Sequence, residues 1–169
     1  MHERNISLEV VVPYYDRGLK VLPDCTSMKK LNAQGPSLIG RIMGHTAPNP
    51  RVVLVVDDEE AIRRIARLIL ERAGHCVLEA PDGLRALELL YTYSGPIDLV
   101  VCDVVMPHLS GTDLVERLKK EQPDLKVLLI SGEVEDSPVV GVELLRKPFT
   151  AQALQSAVMA LLPNKSSTR

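Results

Sequence analysis

From residue 51 onward, short runs of mostly β-branched apolar residues alternate with segments of helical spacing. The apolar runs predict five strands, at residues 51–56, 75–80, 97–103, 125–131 and 142–147. Between the runs, apolar side chains recur every three or four residues, as in Leu154, Val158 and Leu161, and this spacing predicts helices. Strands that alternate with helices are typical of βαβ units, so the sequence predicts an α/β fold with a parallel sheet.

Polar side chains follow four of the predicted strands. They are Asp57 and Asp58 after the first strand, Asp103 at the third, Ser131 at the fourth and Lys147 at the fifth. The carboxyl ends of parallel strands face one edge of the sheet, where such folds bind ligands. Two like charges about 4 Å apart repel by roughly 4 kcal/mol at an effective dielectric near 20, so clustered carboxylates need a cation. Because Mg²⁺ prefers carboxylate and phosphate oxygens, the pattern predicts a site for Mg²⁺ together with an anion.

Composition and charge narrow the functional classes. The 169 residues carry 20 basic and 22 acidic side chains, a formal charge of -2, so no basic field attracts nucleic acid or an anionic membrane. No apolar stretch approaches the roughly 20 residues that cross a bilayer, and the N-terminus lacks the layout of a signal peptide. We therefore expect a cytoplasmic protein. The cysteines lie in no CxxC or Cys/His cluster, so a zinc site is not indicated.

Four motifs at the strand ends resemble those of the receiver domain of two-component response regulators. They are "DD" at 57–58, "DVVMPHLSG" at 103–111, "ISG" at 130–132 and "KPF" at 147–149. Each motif is weak alone, but the four together, in this order and at these strand ends, are very specific. The resemblance implies a receiver domain over residues 51–163. Its fold would be flavodoxin-like and doubly wound, with a five-stranded parallel sheet in the order 2-1-3-4-5 and helices on both faces.

The resemblance also implies a role for each polar residue. Asp103 would be the phosphoacceptor, taking a phosphoryl group from the phosphohistidine of a sensor histidine kinase or a histidine phosphotransfer protein. Ser131 and Lys147 would contact the phosphoryl oxygens. The implied ligands of Mg²⁺ are Asp57, Asp58, Asp103 and the backbone carbonyl of Val105. The family further implies a cis peptide before Pro148. The protein would be a signalling domain and not an enzyme, with only self-phosphorylation and autodephosphorylation of its own.

The sequence departs from the receiver pattern between the fourth and fifth strands. Only 15 residues separate Ser131 from Lys147, about six fewer than is usual, which is a loss of roughly one and a half helical turns. Pro138 and Gly141 further disfavour a helix. We therefore expect the family's fourth helix to be short or missing. Leu144 occupies the position where the family commonly has an aromatic side chain that turns inward on activation.

The ends of the chain carry weaker signals. Prolines interrupt residues 1–50, so we expect a poorly ordered N-terminal extension, and residues 164–169 are expected to be a C-terminal tail. An alternative start at Met43 would give an ordinary short leader. No output module follows the last helix, so we expect a stand-alone receiver that signals through an unknown partner protein, without DNA binding of its own. The oligomeric state stays open.

Several interpretations remain open at this stage. The chain could be a phosphorelay carrier or phosphate sink, or a receiver-like binding module that acts without phosphorylation. A phosphatase of the haloacid dehalogenase type is disfavoured, because it needs a second acid two residues after its nucleophile, where Val105 stands. In the first helix, we expect three arginines to form a solvated face: Arg63, Arg64 and Arg67.

Overall fold

The computed structural model describes residues 51–133 and 136–162. The expectations for the extension at 1–50 and the tail at 164–169 lie outside the described residues. The helices and strands are β1 (Val52–Val56), α1 (Glu60–Arg72), β2 (Cys76–Ala80), α2 (Gly83–Thr92), β3 (Leu99–Asp103), α3 (Gly111–Glu121), β4 (Lys126–Ser131), β5 (Glu143–Arg146) and α4 (Ala151–Leu161). None of these helices is long and apolar enough to cross a bilayer.

The five strands form one parallel sheet in the order β2-β1-β3-β4-β5. The predicted fold class is therefore confirmed. The register places Asp103 of β3 beside Ile130 of β4, and Ser131 of β4 beside Arg146 of β5. The polar residues at the strand ends consequently lie at the same edge of the sheet.

The hydrophobic core lies on both faces of this sheet. On one face, residues such as Leu54 and Leu129 pack against α2 and α3. On the other, residues such as Val53 and Leu128 pack against α1 and α4. The three inner strands are buried on both faces, which explains why they read as unbroken apolar runs. Burying each leucine contributes about 1.5–3 kcal/mol, so this core stabilises the strands whose ends carry the polar residues.

Side-chain caps set the start of three helices. Asp82 accepts a hydrogen bond from the backbone N–H of Arg85 at α2, Ser110 caps α3 and Thr150 caps α4. Such caps stabilise a helix by about 1 kcal/mol. Helix α1 differs, because Glu59 precedes it without a side-chain cap. The loop that carries the acidic pair is therefore held in another way.

The connection between β4 and β5 is short, as expected. Its described residues, 132–133 and 136–142, include no helix. The chain turns back where the N–H of Val142 donates to the carbonyl of Val139 over 3.2 Å, and both side chains are buried against the α2 and α3 side of the core. Lys119 of α3 fixes the outer side of this turn by donating to the carbonyl of Val140 over 2.6 Å.

Candidate functional site

The carboxyl edge of the sheet brings two buried carboxylates to one ammonium group. Asp57 follows β1 with 2% of its surface exposed, and Asp103 ends β3 with 8% exposed. Lys147, directly after β5, donates from Nζ to Asp57 Oδ2 and to Asp103 Oδ2, each over 2.8 Å. The ammonium group therefore bridges the two carboxylates and offsets part of their mutual repulsion.

Asp58 completes a cluster of three carboxylates. One carboxylate oxygen from each of Asp57, Asp58 and Asp103 lies within 4.8 Å of the others, and Asp58 is the exposed member. Three hard oxygen donors this close together fit the requirements of Mg²⁺, which binds few protein carboxylates and keeps positions for water or phosphate. The exposed carboxylate leaves the site open to solvent.

Val105 lies beside the same cluster. Its backbone N–H donates to Asp103 Oδ1 over 3.4 Å, so the loop after β3 folds back over the acid. His108 in this loop has a left-handed backbone, with φ 68°. The loop then enters α3 at Gly111, whose N–H donates to the carbonyl of Val104 over 3.0 Å.

Ser131 and Lys147 connect the ends of β4 and β5. Ser131 is 1% exposed, its Oγ accepts from the N–H of Glu133 over 3.1 Å, and its carbonyl accepts from the N–H of Lys147 over 2.8 Å. The peptide bond between Lys147 and Pro148 is cis, as the resemblance implied. A backbone hydrogen bond therefore joins the ends of β4 and β5, next to the lysine that contacts Asp103.

Burial and charge shift the proton affinities at the site in defined directions. Burial raises the pKa of the Asp57 carboxyl, and the hydrogen bond from Lys147 only partly opposes this. For Lys147, burial lowers the pKa, but the hydrogen bonds to Asp103 and then Asp57 outweigh it, so the pKa is raised. The bridging group is therefore a stable ammonium cation, while the charge on Asp57 is costly to the fold.

The expectation of a solvated arginine face on α1 is wrong for two of the three residues. Arg63 donates from Nη1 to the backbone carbonyls of Asp57 and Asp58, over 2.6 and 3.1 Å. Arg67 pairs with Glu79 over 2.9 Å. Only Arg64 fits the expectation, with 62% of its side chain exposed. Helical spacing predicts the face of a side chain, but it does not show that a long side chain reaches back to the preceding loop.

Comparison with known proteins decides the family. Residues 53–159 match the family described as "Response regulator receiver domain". This chain belongs to the receiver domain family. Receiver domains are signalling modules, not enzymes in the ordinary sense. They bind Mg²⁺ at an acidic pocket, accept a phosphoryl group and are phosphorylated by sensor histidine kinases. The match leaves the predicted domain bounds of 51–163 as a prediction.

Curated relatives contain the receiver as one part. Sensor kinase CckA of Brucella abortus is 37% identical over 116 residues, covering 65% of this chain and 12% of that protein. The alkaline phosphatase synthesis transcriptional regulatory protein PhoP of Bacillus subtilis is 34% identical over 116 residues, covering 65% of this chain and 48% of that protein. The chain therefore spans about half the length of these relatives, or less.

Solved structures of receivers have the same fold. A response regulator receiver domain protein from Clostridium thermocellum superposes with a TM-score of 0.61 at 33% identity, covering 66% of this chain and 94% of that one. The receiver domain of hybrid histidine kinase CckA superposes with a TM-score of 0.58 at 35% identity, covering 66% of this chain and 98% of that one.

Proposed function

We propose that this receiver accepts a phosphoryl group on Asp103 from the phosphohistidine of a sensor histidine kinase or a histidine phosphotransfer protein. The reaction is Mg²⁺-dependent, and the phosphorylated receiver signals by binding a partner protein in the cytoplasm. The observation that carries this proposal is the position of the Lys147 ammonium, 2.8 Å from carboxylate oxygens of both Asp57 and Asp103.

In the proposed transfer, a carboxylate oxygen of Asp103 forms a bond to phosphorus while the bond from phosphorus to the histidine nitrogen breaks. The electron pair of that bond stays on the imidazole nitrogen, which takes up a proton. Such a transfer depends mainly on positioning and charge neutralisation. Lys147 donates to one phosphoryl oxygen, and the Ser131 hydroxyl at the adjacent strand end donates to another.

The three carboxylates and the backbone carbonyl of Val105 would hold the metal. Bound Mg²⁺ supplies positive charge that offsets the carboxylates and the phosphoryl oxygens. Burial raises the pKa of Asp57 and Lys147 only partly opposes this, so further positive charge at the site would stabilise the Asp57 carboxylate. Asp58 is exposed and completes the cluster from the solvent side.

The test is intact-mass measurement after incubation of the full chain with acetyl phosphate and Mg²⁺, with and without EDTA. We expect the wild-type protein to gain the mass of one phosphoryl group only when Mg²⁺ is present. Asp103→Asn should gain none, whereas Asp124→Asn, which changes an exposed acid, should label like the wild type. Labelling of Asp103→Asn, or an unlabelled wild type beside a second receiver that does label, would refute the proposal.

A second role, phosphorelay carrier or phosphate sink, is favoured by two features. The described residues between β4 and β5 include no helix, and Leu144 provides no aromatic ring to turn inward. In this role Asp103 passes its phosphoryl group to another histidine, and the surface around β5 contributes little. Transfer of radioactive phosphate from the labelled receiver to a histidine phosphotransfer protein would support the carrier role. Stable binding of a partner only to the phosphorylated form would favour direct signalling.

A further inference from the structure

The side chain of one arginine holds two consecutive carbonyl groups of the acidic loop. Arg63 donates from Nη1 to the carbonyls of Asp57 and Asp58, over 2.6 and 3.1 Å. Separately from the side chain, its backbone N–H donates to the carbonyl of Glu59 over 3.1 Å, which is the first hydrogen bond of α1. Since α1 begins without a side-chain cap, Arg63 closes the loop between β1 and α1 from the helix side.

The two carboxylates of the loop depend on this contact to different degrees. Asp57 accepts from the N–H of Glu59 over 2.9 Å and from Lys147, so its side chain has its own partners. In the described part of the chain, the Asp58 carboxylate makes no hydrogen bond and no ion pair. The direction of its Cα–Cβ bond, and so the region that the carboxylate can reach, depends on the backbone of Asp58, whose carbonyl Arg63 holds.

We propose that Arg63 is a positioning residue of the metal site: by holding the carbonyls of Asp57 and Asp58, it keeps both carboxylates turned toward Asp103. This inference rests on the proposed function, because it concerns the same Mg²⁺ site. Arg63 does not touch the metal or the phosphoryl group. It acts through the backbone of residues that do.

Charge and positioning predict opposite effects when Arg63 is removed. The guanidinium group is a cation near a cation site, so its loss through charge alone would strengthen Mg²⁺ binding. Loss of positioning weakens binding, because replacing a residue that orients metal ligands typically costs about 10–100-fold in affinity. We expect Arg63→Ala to bind Mg²⁺ about tenfold more weakly than the wild type.

Arg64 provides a matched control. It is the next residue of the same helix, it is exposed, and within the described residues its ion pair is with Glu60 at 3.7 Å. Arg64→Ala therefore removes the same charge without touching the loop. Arg63→Lys retains the charge but replaces the planar fork by a compact ammonium group. We expect it to fall between Arg63→Ala and the wild type in Mg²⁺ affinity.

The experiment is a Mg²⁺ titration of each full-length variant, followed by the backbone amide chemical shifts of residues 57–59 and 103–105. A second readout, taken without metal, is hydrogen exchange of the Glu59 and Arg63 amides. We expect Arg63→Ala to weaken Mg²⁺ binding and speed this exchange, and Arg64→Ala to do neither. Urea unfolding of each variant is the control that tests whether the fold as a whole is retained.

The outcomes separate the two proposals. If Arg63→Ala binds Mg²⁺ as tightly as Arg64→Ala, or more tightly, the positioning role is wrong, whatever the wild type does with acetyl phosphate. If the wild type binds no Mg²⁺, the proposed function fails together with this inference about the metal. Faster exchange only in Arg63→Ala would then show a contact that stabilises the loop but serves no metal site.

Discussion

At the scale of single residues, Lys147 compensates the negative charge of two buried carboxylates. Among the described residues, Lys147 is the only one whose side chain forms ion pairs with both Asp57 and Asp103. Lys147 and the two acids are largely shielded from solvent, so their interaction is weakly screened. Removal of Lys147 would leave both carboxylates without this charged partner.

We predict that Lys147→Ala destabilises the metal-free protein by about 1–3 kcal/mol at neutral pH, because two buried carboxylates lose a charged partner. Mg²⁺ should then stabilise this variant more than it stabilises the wild type, since it replaces the missing positive charge. Urea unfolding in EDTA and in Mg²⁺ measures both effects. Lys120→Ala, which changes an exposed lysine of α3, is the control. Equal stability of the two variants in EDTA would contradict the prediction.

His75 provides a residue whose protonation opposes folding. It lies between α1 and β2, and its Nδ1 atom is buried and makes no hydrogen bond within the described residues. Burial lowers the pKa of His75 below 6.5, the nearby charge of Arg51 lowers it further, and Asp98 partly opposes both. The unfolded chain therefore takes up this proton at a higher pH than the folded protein does.

The consequence is a loss of stability as the pH falls. Between the two pKa values the unfolded state binds more protons, so the free energy of unfolding decreases as the pH drops through about 6.5. The loss ends only when the folded protein also protonates His75. We predict that His75→Leu flattens this part of the curve. Urea unfolding at a series of pH values measures it, and parallel curves for variant and wild type would show that His75 does not contribute.

At the scale of elements, the site depends on how closely α3 approaches β3. A Cβ atom added at Gly111 would lie 1.9 Å from the carbonyl oxygen of Asp103, which is far inside any real contact. Because that oxygen belongs to the backbone of a buried strand, it cannot move aside without displacing the acid. The glycine therefore fixes the distance between the start of α3 and the proposed phosphoacceptor.

We predict that Gly111→Ala destabilises the protein by about 3 kcal/mol or more, because overpacking against backbone is costly. It should also lower phosphoryl labelling, since Asp103 is displaced. Gly132→Ala is the control, because its Cβ would lie 3.6 Å from Cβ of Lys147, an ordinary contact. The measurements are thermal unfolding and intact mass after acetyl phosphate. A folded Gly111→Ala with wild-type stability would rule out the clash.

The sequence predicted most elements because burial and pattern coincide in this fold. The inner strands are apolar on both faces, so each can be located as an unbroken run of apolar residues in the sequence. Errors arose at the ends, where packing and not pattern decides: β5 spans only Glu143–Arg146, one residue shorter at each end than predicted. The contact between Arg63 and the carbonyls of Asp57 and Asp58 could not be predicted. Helical periodicity indicates the face on which a side chain lies, but not which backbone atoms of the preceding loop it contacts.

At the scale of the whole molecule, the candidate site is a consequence of topology. Its residues come from the ends of β1, β3, β4 and β5, and the parallel sheet brings those ends to one edge. Sequence could therefore predict which residues meet. It could not predict that Asp57 is buried while Asp58 is exposed, because both follow the same strand and alternation ends there. The charge on the buried Asp57 therefore reduces the stability of the fold more than the charge on the exposed Asp58 does.

That cost makes the metal-free protein a compromise between stability and function. A raised pKa means that the folded protein disfavours charged Asp57 relative to the unfolded chain, so at neutral pH this charge reduces stability. We predict that Asp57→Asn is more stable than the wild type in EDTA. The amide oxygen can still accept from the N–H of Glu59, and Lys147 keeps its bond to Asp103.

The same substitution should remove most of the benefit of Mg²⁺. A ligand that binds only the folded state adds about 2.7 kcal/mol at a hundredfold excess over its Kd, so the wild type should gain stability steadily as Mg²⁺ rises. Asp57→Asn lacks one of the three carboxylates and should gain little, and its urea midpoint should cross that of the wild type at high Mg²⁺. Asp124→Asn should respond like the wild type. If Asp57→Asn is less stable than the wild type in EDTA, the charge on Asp57 does not reduce stability. If it gains as much stability from Mg²⁺ as the wild type does, Asp57 does not bind the metal.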